Sequence, residues 1–328
     1  MAASQFSPSA AFAPFRVEPR FSARVWGFRD LRPWYDRVAE GDPIGEVWLT
    51  GDDCLIATGP HAGEKLASLF GEAHEPLLGP DAPSPESPLL IKMLFAKEKL
   101  SVQVHPDDAM AQKYGQPRGK TECWYAVAAE AEAKVACGLK PGVTLKQVDE
   151  EIRAGTLESS LALLPVERGD MIFVDAGTVH AIWPGAIILE TQQNCDITYR
   201  MFDYGRPREL HVEKSLEATK LTTRAGKIAP RQLGDRTVLI DVEYFRVERI
   251  PVQGTCTSES LRGTGKRGLA WLFAAAGAAR LSGEGFAPVD LPARGIVGVP
   301  AASPEFVLED LGGLDLIRIT PNWPGTKP

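Results

Sequence analysis

The clearest alternation of apolar and polar residues lies at positions 101–108, which read SVQVHPDD. Val102 and Val104 fall on one face of the predicted strand, and Gln103 and His105 fall on the other, because successive side chains of a strand point to opposite sides. The proline after His105 should end the strand. A glutamine and a histidine side by side on an inward face need a polar partner, and a metal ion would be one.

Runs of β-branched and aromatic residues predict further strands along most of the chain. In the first two thirds they read IGEVWLTG (44–51), LLIKMLF (89–95), TECWYAVA (121–128) and MIFV (171–174). From residue 239 onward, the runs YFRVERIPV, GLAWLFAAAG, ARGIVGVPAASPEFVLE and LDLIRIT alternate with glycine-rich turns. This second series is typical of a further β-barrel. The pattern therefore predicts a mainly β protein.

Helical spacing is confined to short segments. One helix is predicted for residues 144–154, with Thr144 as its N-cap and Gly155 just beyond its end. A second helix is predicted for residues 157–164, and the two together form a small helical insertion between strands. A later helix, HVEKSLEATK, is predicted to begin at His211.

The segment 190–200, ETQQNCDITYR, carries many polar residues of one parity. If it forms a single strand, one face presents Glu190, Gln192, Asn194, Asp196, Thr198 and Arg200. Such a face either meets solvent or lines a polar pocket. A metal site nearby, together with the mostly apolar odd-numbered positions, favours the pocket.

The composition excludes some classes of function. The chain has 328 residues, 44% of them hydrophobic, and a net charge of -7 that argues against general nucleic-acid binding. Its five cysteines are odd in number and form no CxxC motif, which suits buried thiols in the cytoplasm. No apolar run approaches the roughly 20 residues that a membrane helix needs. Residues 1–14 are rich in Ala, Ser and Pro, which predicts a flexible tail rather than a signal peptide.

Three further residues can complete a metal site around Gln103 and His105. Lys120 and Glu122 are two positions apart, so in a strand their side chains lie on the same face. If this face meets Gln103, Glu122 becomes a third ligand and Lys120 a neighbouring cation. His180 follows a glycine-containing turn. Two histidines, a glutamate and a glutamine are a mixed nitrogen and oxygen set suited to Zn²⁺ or another first-row divalent ion.

Several motifs occur in an order that resembles one enzyme family. The spacing of Gly169, Gly177 and the histidine that follows is similar to the second metal motif of cupin barrels, with Asp175 in place of the usual proline. The set QVHPDD, GKTE, AGTVHAI and ETQQNCDITYR resembles the type I phosphomannose isomerases in their short bacterial form. The match extends from RVWG, near residue 24, to RELH, near residue 211, which is more than half of the chain.

The resemblance implies a mainly β fold of two cupin-type (jelly-roll) barrels with the small helical insertion at about 144–164. It places a metal-binding catalytic domain at 15–228 and a degenerate C-terminal barrel at 236–328. No histidine follows His211, so the second barrel is expected to bind no metal and to serve packing.

The resemblance also implies roles for individual residues. The metal ligands, for one Zn²⁺ or other divalent ion per chain, would be Gln103, His105, Glu122 and His180. Glu190, Asp196 and Arg200 reproduce the family spacing of a Glu, an Asp and an Arg, and Lys120 matches the lysine that precedes the ligand glutamate. These four are the catalytic candidates.

Two assignments stay open from the residues alone. The base that moves the proton is Glu190, Asp196, His105 or Lys120. The substrate phosphate would be held by basic and hydroxyl groups, for which the candidates are Ser101, Lys120, Arg200 and Arg206.

The expected activity is interconversion of mannose 6-phosphate and fructose 6-phosphate through an enediolate. Two alternatives come from other classes: a sugar-phosphate-binding cupin without turnover, and a metal cupin that acts on another substrate, such as an Fe(II) oxygenase. Isomerisation of another phosphosugar is a closely related alternative. The expected partner is a small sugar phosphate, with no nucleic acid and no membrane, and the chain is expected to be a monomer or a homodimer.

Overall fold

A computed structural model describes residues 10–263 and 267–323. Most of the predicted flexible tail, residues 1–14, therefore lies outside the described residues. In its last part, Ala10–Phe12 form one 3₁₀ turn and Ala13 is buried.

Strands make up most of the described chain. In chain order they are β1 Phe15–Arg16, β2 Arg20–Phe28, β3 Ile44–Trp48, β4 Leu89–Phe95, β5 Val102–Val104, β6 Glu122–Ala129, β7 Lys134–Leu139, β8 Leu161–Pro165, β9 Met171–Val174, β10 His180–Ile182, β11 Ala186–Gln193, β12 Tyr199–Phe202, β13 Gly226–Ile228, β14 Arg231–Leu233, β15 Arg236–Asp241, β16 Phe245–Ile250, β17 Thr255–Thr257, β18 Ala270–Ala276, β19 Ala279–Gly283, β20 Val289–Leu291, β21 Ile296–Val299, β22 Phe306–Asp310 and β23 Asp315–Pro321. The prediction of a mainly β fold is confirmed.

The α-helices are short. They are α1 Leu66–Glu72, α2 His74–Leu78, α3 Asp108–Lys113, α4 Leu145–Ala154, α5 Val212–Ala218 and α6 Ser258–Arg262. None of those in the described ranges is long and apolar enough to cross a membrane.

The chain divides into two compact units, each with a pair of sheets. The central unit comprises Phe21–Val47 and Leu90–Ala229, and the terminal unit comprises Met1–Arg20, Trp48–Leu89 and Pro230–Pro328. The central unit has a seven-stranded sheet, β13-β9-β6-β11-β4-β3-β2, and a five-stranded sheet, β12-β5-β10-β7-β8. The terminal unit has sheets β1-β21-β18-β23-β16-β15-β14 and β17-β22-β19-β20.

These units divide the chain differently from the boundaries predicted at 15–228 and 236–328. The first strand joins the terminal unit, because β1 pairs with β21 through Phe15 opposite Gly298. The stretch 48–89 joins it as well, since Ala301 donates a backbone hydrogen bond to the carbonyl of Leu77. Both contacts join residues that are far apart in sequence, so domain boundaries inferred from linker composition do not include them.

The predicted alternation at the start of the metal motif is present in the central unit. Val102 and Val104 are fully buried in an apolar cluster that also contains Val148 and Ile152 of α4. One face of β5 therefore packs on a helix, and Gln103 projects from the other face. The alternation thus aims Gln103 into the polar side of the five-stranded sheet.

The helix at 144–154 is confirmed, and the one at 157–164 is wrong. Thr144 caps α4 by accepting a hydrogen bond from the amide of Gln147, and Gly155 ends it in the left-handed conformation. The following residues form only a 3₁₀ turn, Leu157–Ser160, and then strand β8. β8 pairs with β7 over Lys134–Leu139, so sheet pairing overrides the helical spacing of its leucines.

The polar segment 190–200 is two strands rather than one. β11 ends at Gln193 and β12 begins at Tyr199. The chain turns at Cys195, whose amide donates to the carbonyl of Gln193 at 2.7 Å. The expected single polar face therefore breaks between Gln192 and Arg200, which lie in different sheets.

Candidate metal centre and adjoining cavity

Strand β5 lies between β10 and β12 in the five-stranded sheet, and this order brings distant motifs together. Gln103 lies opposite His180 of β10 and opposite Arg200 of β12. Directly opposed side chains on neighbouring strands are within contact distance. The amide nitrogen Nε2 of Gln103 accordingly lies 3.2 Å from Nε2 of His180.

His105, Glu122 and His180 form a compact, buried cluster. Their ligand atoms all lie within 4.8 Å of one another. Nε2 of His105 is 3.6 Å from Oε2 of Glu122, and Nε2 of His180 is 3.5 Å from Oε1. Two donors of a tetrahedral zinc site with bonds of about 2.1 Å are about 3.4 Å apart. The two distances from Glu122 are close to this spacing, and each of the three side chains is only 1% exposed.

Both histidines are held in the form that ligates metals. Nδ1 of His180 lies 2.9 Å from the carbonyl of Thr178, so a proton on Nδ1 leaves the lone pair of Nε2 facing Glu122. Burial lowers the pKa of His180 to about 4 and that of His105 well below its ordinary value. Both rings are therefore neutral near pH 7.

Burial acts in the opposite sense on the carboxylate. It raises the pKa of Glu122 to about 7, while the neighbouring Lys120 lowers it. Within the described part of the chain, Nε2 of His105 and both carboxylate oxygens of Glu122 have no hydrogen-bond partner. Buried polar atoms without partners are costly, and a divalent cation would satisfy all three. The donor set therefore fits a metal ion.

Hydrogen bonds to the side chains of Asp108 and Gln193 brace the loops that carry these ligands. The carboxylate of Asp108 accepts from the amide of Gly119 at 2.7 Å and from the side chain of Gln193 at 2.9 Å. The amide oxygen of Gln193 in turn accepts from the backbone of Thr121. The HPDD, GKTE and ETQQ motifs are thus one hydrogen-bonded assembly, which orients Glu122 toward His105.

Gly177 connects the AGTVHAI motif, which contains His180, to the QVHPDD motif, which contains His105. Its amide donates to the carbonyl of His105 at 2.9 Å, and its φ is 92°. A Cβ there would lie 2.6 Å from the side chain of Lys220 and 3.0 Å from the carbonyl of Ala218. The position therefore requires glycine for its conformation and for space.

We expect Gly177→Ala to destabilise the fold by about 1–3 kcal/mol and to weaken metal binding. Gly169→Ala is the matched control, because Gly169 has the same φ of 92° but an added Cβ would meet nothing within 4 Å. Urea unfolding and metal titration compare the two variants. Equal metal affinity in both would show that the contact between Gly177 and His105 does not position the ligand.

A polar cavity of about 410 Å³ adjoins the cluster within the central unit. The sequence-predicted residues that line it are Ser101, Gln103, Lys120, His180, Glu190, Asp196 and Arg200. Nζ of Lys120 lies 3.3 Å from Oε2 of Glu122, so this cation sits directly beside the cluster. Asp196 lies half-exposed at the rim.

The predicted arginines differ in what they contact. Arg200 lines the cavity with its Nε lacking a hydrogen-bond partner among the described residues, while its Nη1 donates to the carbonyl of Glu209. The structure does not bring Arg206 to the cavity, because its guanidinium bonds Asp203 and the carbonyl of Lys99. Arg208 lines the cavity but is held by two hydrogen bonds to Asp203.

Lys92 lines the cavity, although the sequence pattern did not identify it as a candidate. It lies on β4, is 2% exposed, and its Nζ is 3.1 Å from Oε1 of Glu190 and 3.6 Å from Asp196. The other oxygen of Glu190 accepts from Nε1 of Trp124 at 3.2 Å. Burial lowers the pKa of Lys92, but the neighbouring carboxylates, Glu190 first among them, together raise it above its ordinary value. A single lysine in the apolar run LLIKMLF was the available signal.

We expect Lys92→Met to lower the free energy of unfolding by about 3–5 kcal/mol, because it leaves Glu190 buried without its cation. The double variant Lys92→Met/Glu190→Gln should regain part of the loss, since it removes both charges. Lys97→Met, at an exposed lysine just past β4, is the control. Urea unfolding midpoints measure all three, and a Lys92→Met protein as stable as the parent would contradict a charge pair at this site.

The cavity also contains an ion pair that the sequence did not suggest. Arg24 donates to both carboxylate oxygens of Glu46, from Nε at 3.0 Å and from Nη2 at 2.8 Å. Both residues line the cavity. The two belong to strands β2 and β3, so only the folded sheet brings them together.

Comparisons with known proteins agree with this geometry. A family model for the catalytic domain of type I phosphomannose isomerase matches residues 15–141. A mannose-6-phosphate isomerase of Streptococcus mutans is 33% identical over 256 residues, which cover 74% of this chain and 80% of the relative.

Solved structures share the fold. The crystal structure of the mannose 6-phosphate isomerase from Bacillus subtilis has a TM-score of 0.82 at 28% identity, covering 94% of this chain and 99% of that one. A zinc-bound mannose 6-phosphate isomerase has a TM-score of 0.76 over 94% of this chain and all of its own, and at 16% identity it supports the fold alone. With the identity and coverage of the Streptococcus relative, these matches show that the chain belongs to the type I phosphomannose isomerase family.

Proposed function

We propose that this protein interconverts mannose 6-phosphate and fructose 6-phosphate. The observation that carries the proposal is the buried cluster of His105, Glu122 and His180 beside a cavity containing both cations and carboxylates. Aldose–ketose isomerisation moves a proton between C1 and C2 through an enediolate, so it needs a base and positive charge near the developing oxyanion. The curated relatives carry the name of this activity.

We assign the metal as Zn²⁺, held by Gln103, His105, Glu122 and His180. Neutral imidazoles with a carboxylate suit zinc, and the neighbour of the same fold is described as zinc-bound. When bound, the ion supplies positive charge that stabilises the oxygen on which charge develops.

Three side chains are assigned to the anionic groups of the substrate. Lys120 and Arg200 supply positive charge, and Ser101, whose hydroxyl donates to Gln103 at 3.3 Å, supplies a hydroxyl. Between them they bind the phosphate and the enediolate oxygen. Arg206 is left out of this assignment, because its guanidinium is already bound by Asp203.

Glu190 is assigned as the base that shuttles the proton. Lys92 and Trp124 each contact one of its oxygens, so the carboxylate is fixed in orientation at the wall of the cavity. The side chain of Asp196 is half-exposed, so its orientation is less firmly fixed than that of Glu190. A carboxylate with a fixed direction suits a transfer between adjacent carbons.

The test is coupled turnover of mannose 6-phosphate by metal-stripped protein, before and after Zn²⁺ is returned. We expect activity only with metal, and slower turnover of glucose 6-phosphate. Tight binding of the sugar phosphate without turnover would replace the proposal with a binding protein. Oxygen consumption with Fe(II) would replace it with an oxygenase.

A further inference from the structure

A second polar cavity, of about 560 Å³, lies wholly within residues of the terminal unit. The side chains that matter in it are Arg236, Arg246, Glu248, Arg262, Arg267 and Arg318. It shares no residue with the cavity of the central unit. Five arginines around one cavity are unusual in a chain whose net charge is -7.

Sheet register places three of these residues on one face. Glu248 of β16 lies opposite Arg318 of β23, and Arg246 lies two residues before Glu248 on the same strand. Nη1 of Arg318 is 2.6 Å from Oε2 of Glu248, and Nη2 of Arg246 is 2.6 Å from Oε1. Arg236, on the adjacent β15, is 4.0 Å from the same carboxylate. One glutamate is therefore shared by three guanidinium groups.

Glu248 is the one buried carboxylate in the described lining of this cavity. That lining contains five arginines and three carboxylates, of which Asp81 and Asp235 are exposed. Outside the lining, Glu305 pairs with Arg262 and Arg267, and Asp241 lies 4.0 Å from Arg246. Glu248 is 1% exposed and Arg318 is 8% exposed. Burial lowers the pKa of Arg318, Glu248 raises it, and Arg236 and Arg246 lower it further. Arginine nevertheless stays protonated in proteins, so the three guanidinium groups around Glu248 all keep their positive charge.

Hydrogen-bond donors are also left over. Arg318 has five N–H groups, and its one hydrogen bond among the described residues runs from Nη1 to Glu248. Nε of Arg246 is buried and has no partner in the described part of the chain. A network serving structure alone would match buried charge with charge and buried donor with acceptor. Here charge and donors adjoin a cavity large enough for a small molecule.

We propose that this cavity is a second anion site, which binds a dianionic phosphate group, either free or as the monoester of a small metabolite. The guanidinium fork matches two phosphate oxygens at once. A phosphate monoester carries about -1.5 to -2 charges near pH 7, and the three guanidinium groups that share the single carboxylate of Glu248 would attract it. The inference does not depend on the isomerase activity, because it uses none of the residues assigned to it.

The test is isothermal titration of the full-length protein with inorganic phosphate and with a hexose 6-phosphate, at constant ionic strength. Arg246→Gln should weaken phosphate binding at this site by about tenfold or more, as expected for a lost charged hydrogen bond. Arg267→Gln should act in the same direction, and because Arg267 is half-exposed, its loss leaves no buried charge. Arg200→Gln, in the other cavity, should leave this binding event intact.

Arg249→Gln is the matched control for the change in net charge. Arg249 lies on β16 with Arg246, but it bonds Asp315 and does not line the cavity. Its variant should bind phosphate within about twofold of the parent protein. Tighter binding of the hexose phosphate would identify an ester as the ligand, and equal binding would identify free phosphate. The proposal fails if Arg249→Gln weakens binding as much as Arg246→Gln, or if no phosphate binds outside the Arg200 cavity below about 10 mM.

Discussion

Replacing His180 with alanine is expected to abolish stoichiometric metal binding and to lower kcat/KM for mannose 6-phosphate by about a thousandfold or more. His180 lies 3.5 Å from Glu122, lines the cavity, and is buried with a neutral ring. Its loss removes one of the two nitrogen donors, and the remaining ligands, Gln103, His105 and Glu122, contain a single imidazole and hold zinc more weakly. Metal analysis of the purified protein and coupled turnover give the two readouts.

The control for this variant is His74→Ala, which removes an exposed histidine at the start of α2. It should retain metal and turnover. The far-ultraviolet circular dichroism of His180→Ala should match that of the parent, because the ring of His180 packs at the wall of a cavity. Full metal content with full activity in His180→Ala would refute the assignment of the centre.

Replacing Glu190 with glutamine is expected to lower kcat by about 10²–10⁴-fold while metal content stays unchanged, because the variant loses its proton acceptor. Exchange of the C2 proton of the substrate with deuterated solvent should fall by the same factor. Both readouts report the proton transfer itself, and neither responds to a purely structural role. A rise in KM with unchanged kcat would instead place Glu190 in substrate binding.

Asp196→Asn is the matched comparison, since it changes a carboxylate to an amide 3.6 Å from the same Lys92. It should lower kcat by less than tenfold, because Asp196 is half-exposed at the rim. A larger loss in Asp196→Asn than in Glu190→Gln would transfer the role of base to Asp196. The double variant Lys92→Met/Glu190→Gln separates the effect of an unpaired Lys92 from the loss of the base.

Local pattern was enough for the features that short segments encode. Alternation at 101–108 predicts which side chains of β5 face the helix and which face the cluster, and the structure has Val102 and Val104 in the core as expected. Thr144 and Gly155 bound α4 where the capping signals indicate. In each case, the residues that determine the local structure lie within a few positions of it, so the pattern can be recognised in a single sequence.

Local pattern was not enough where pairing between distant residues decides the structure. The leucines near residue 161 have helical spacing, but pairing with β7 makes them a strand. Arg206 has the residue type of a phosphate ligand, yet Asp203 and the carbonyl of Lys99 engage it away from the cavity. Local periodicity does not show which segments become neighbours of these residues, because that depends on how the complete chain folds.

By itself, the sequence of this protein determined a mainly β fold and, through ordered motifs, a resemblance that implies the donor set Gln103, His105, Glu122 and His180. Residue type and strand parity suffice for the fold class and for which groups of one strand share a face. Tertiary structure alone decided that Lys92 neutralises Glu190 and that five arginines surround a cavity in the terminal unit. A buried charge needs a partner, and the partners of these residues lie on other strands. Which strands are neighbours is known only from the complete fold.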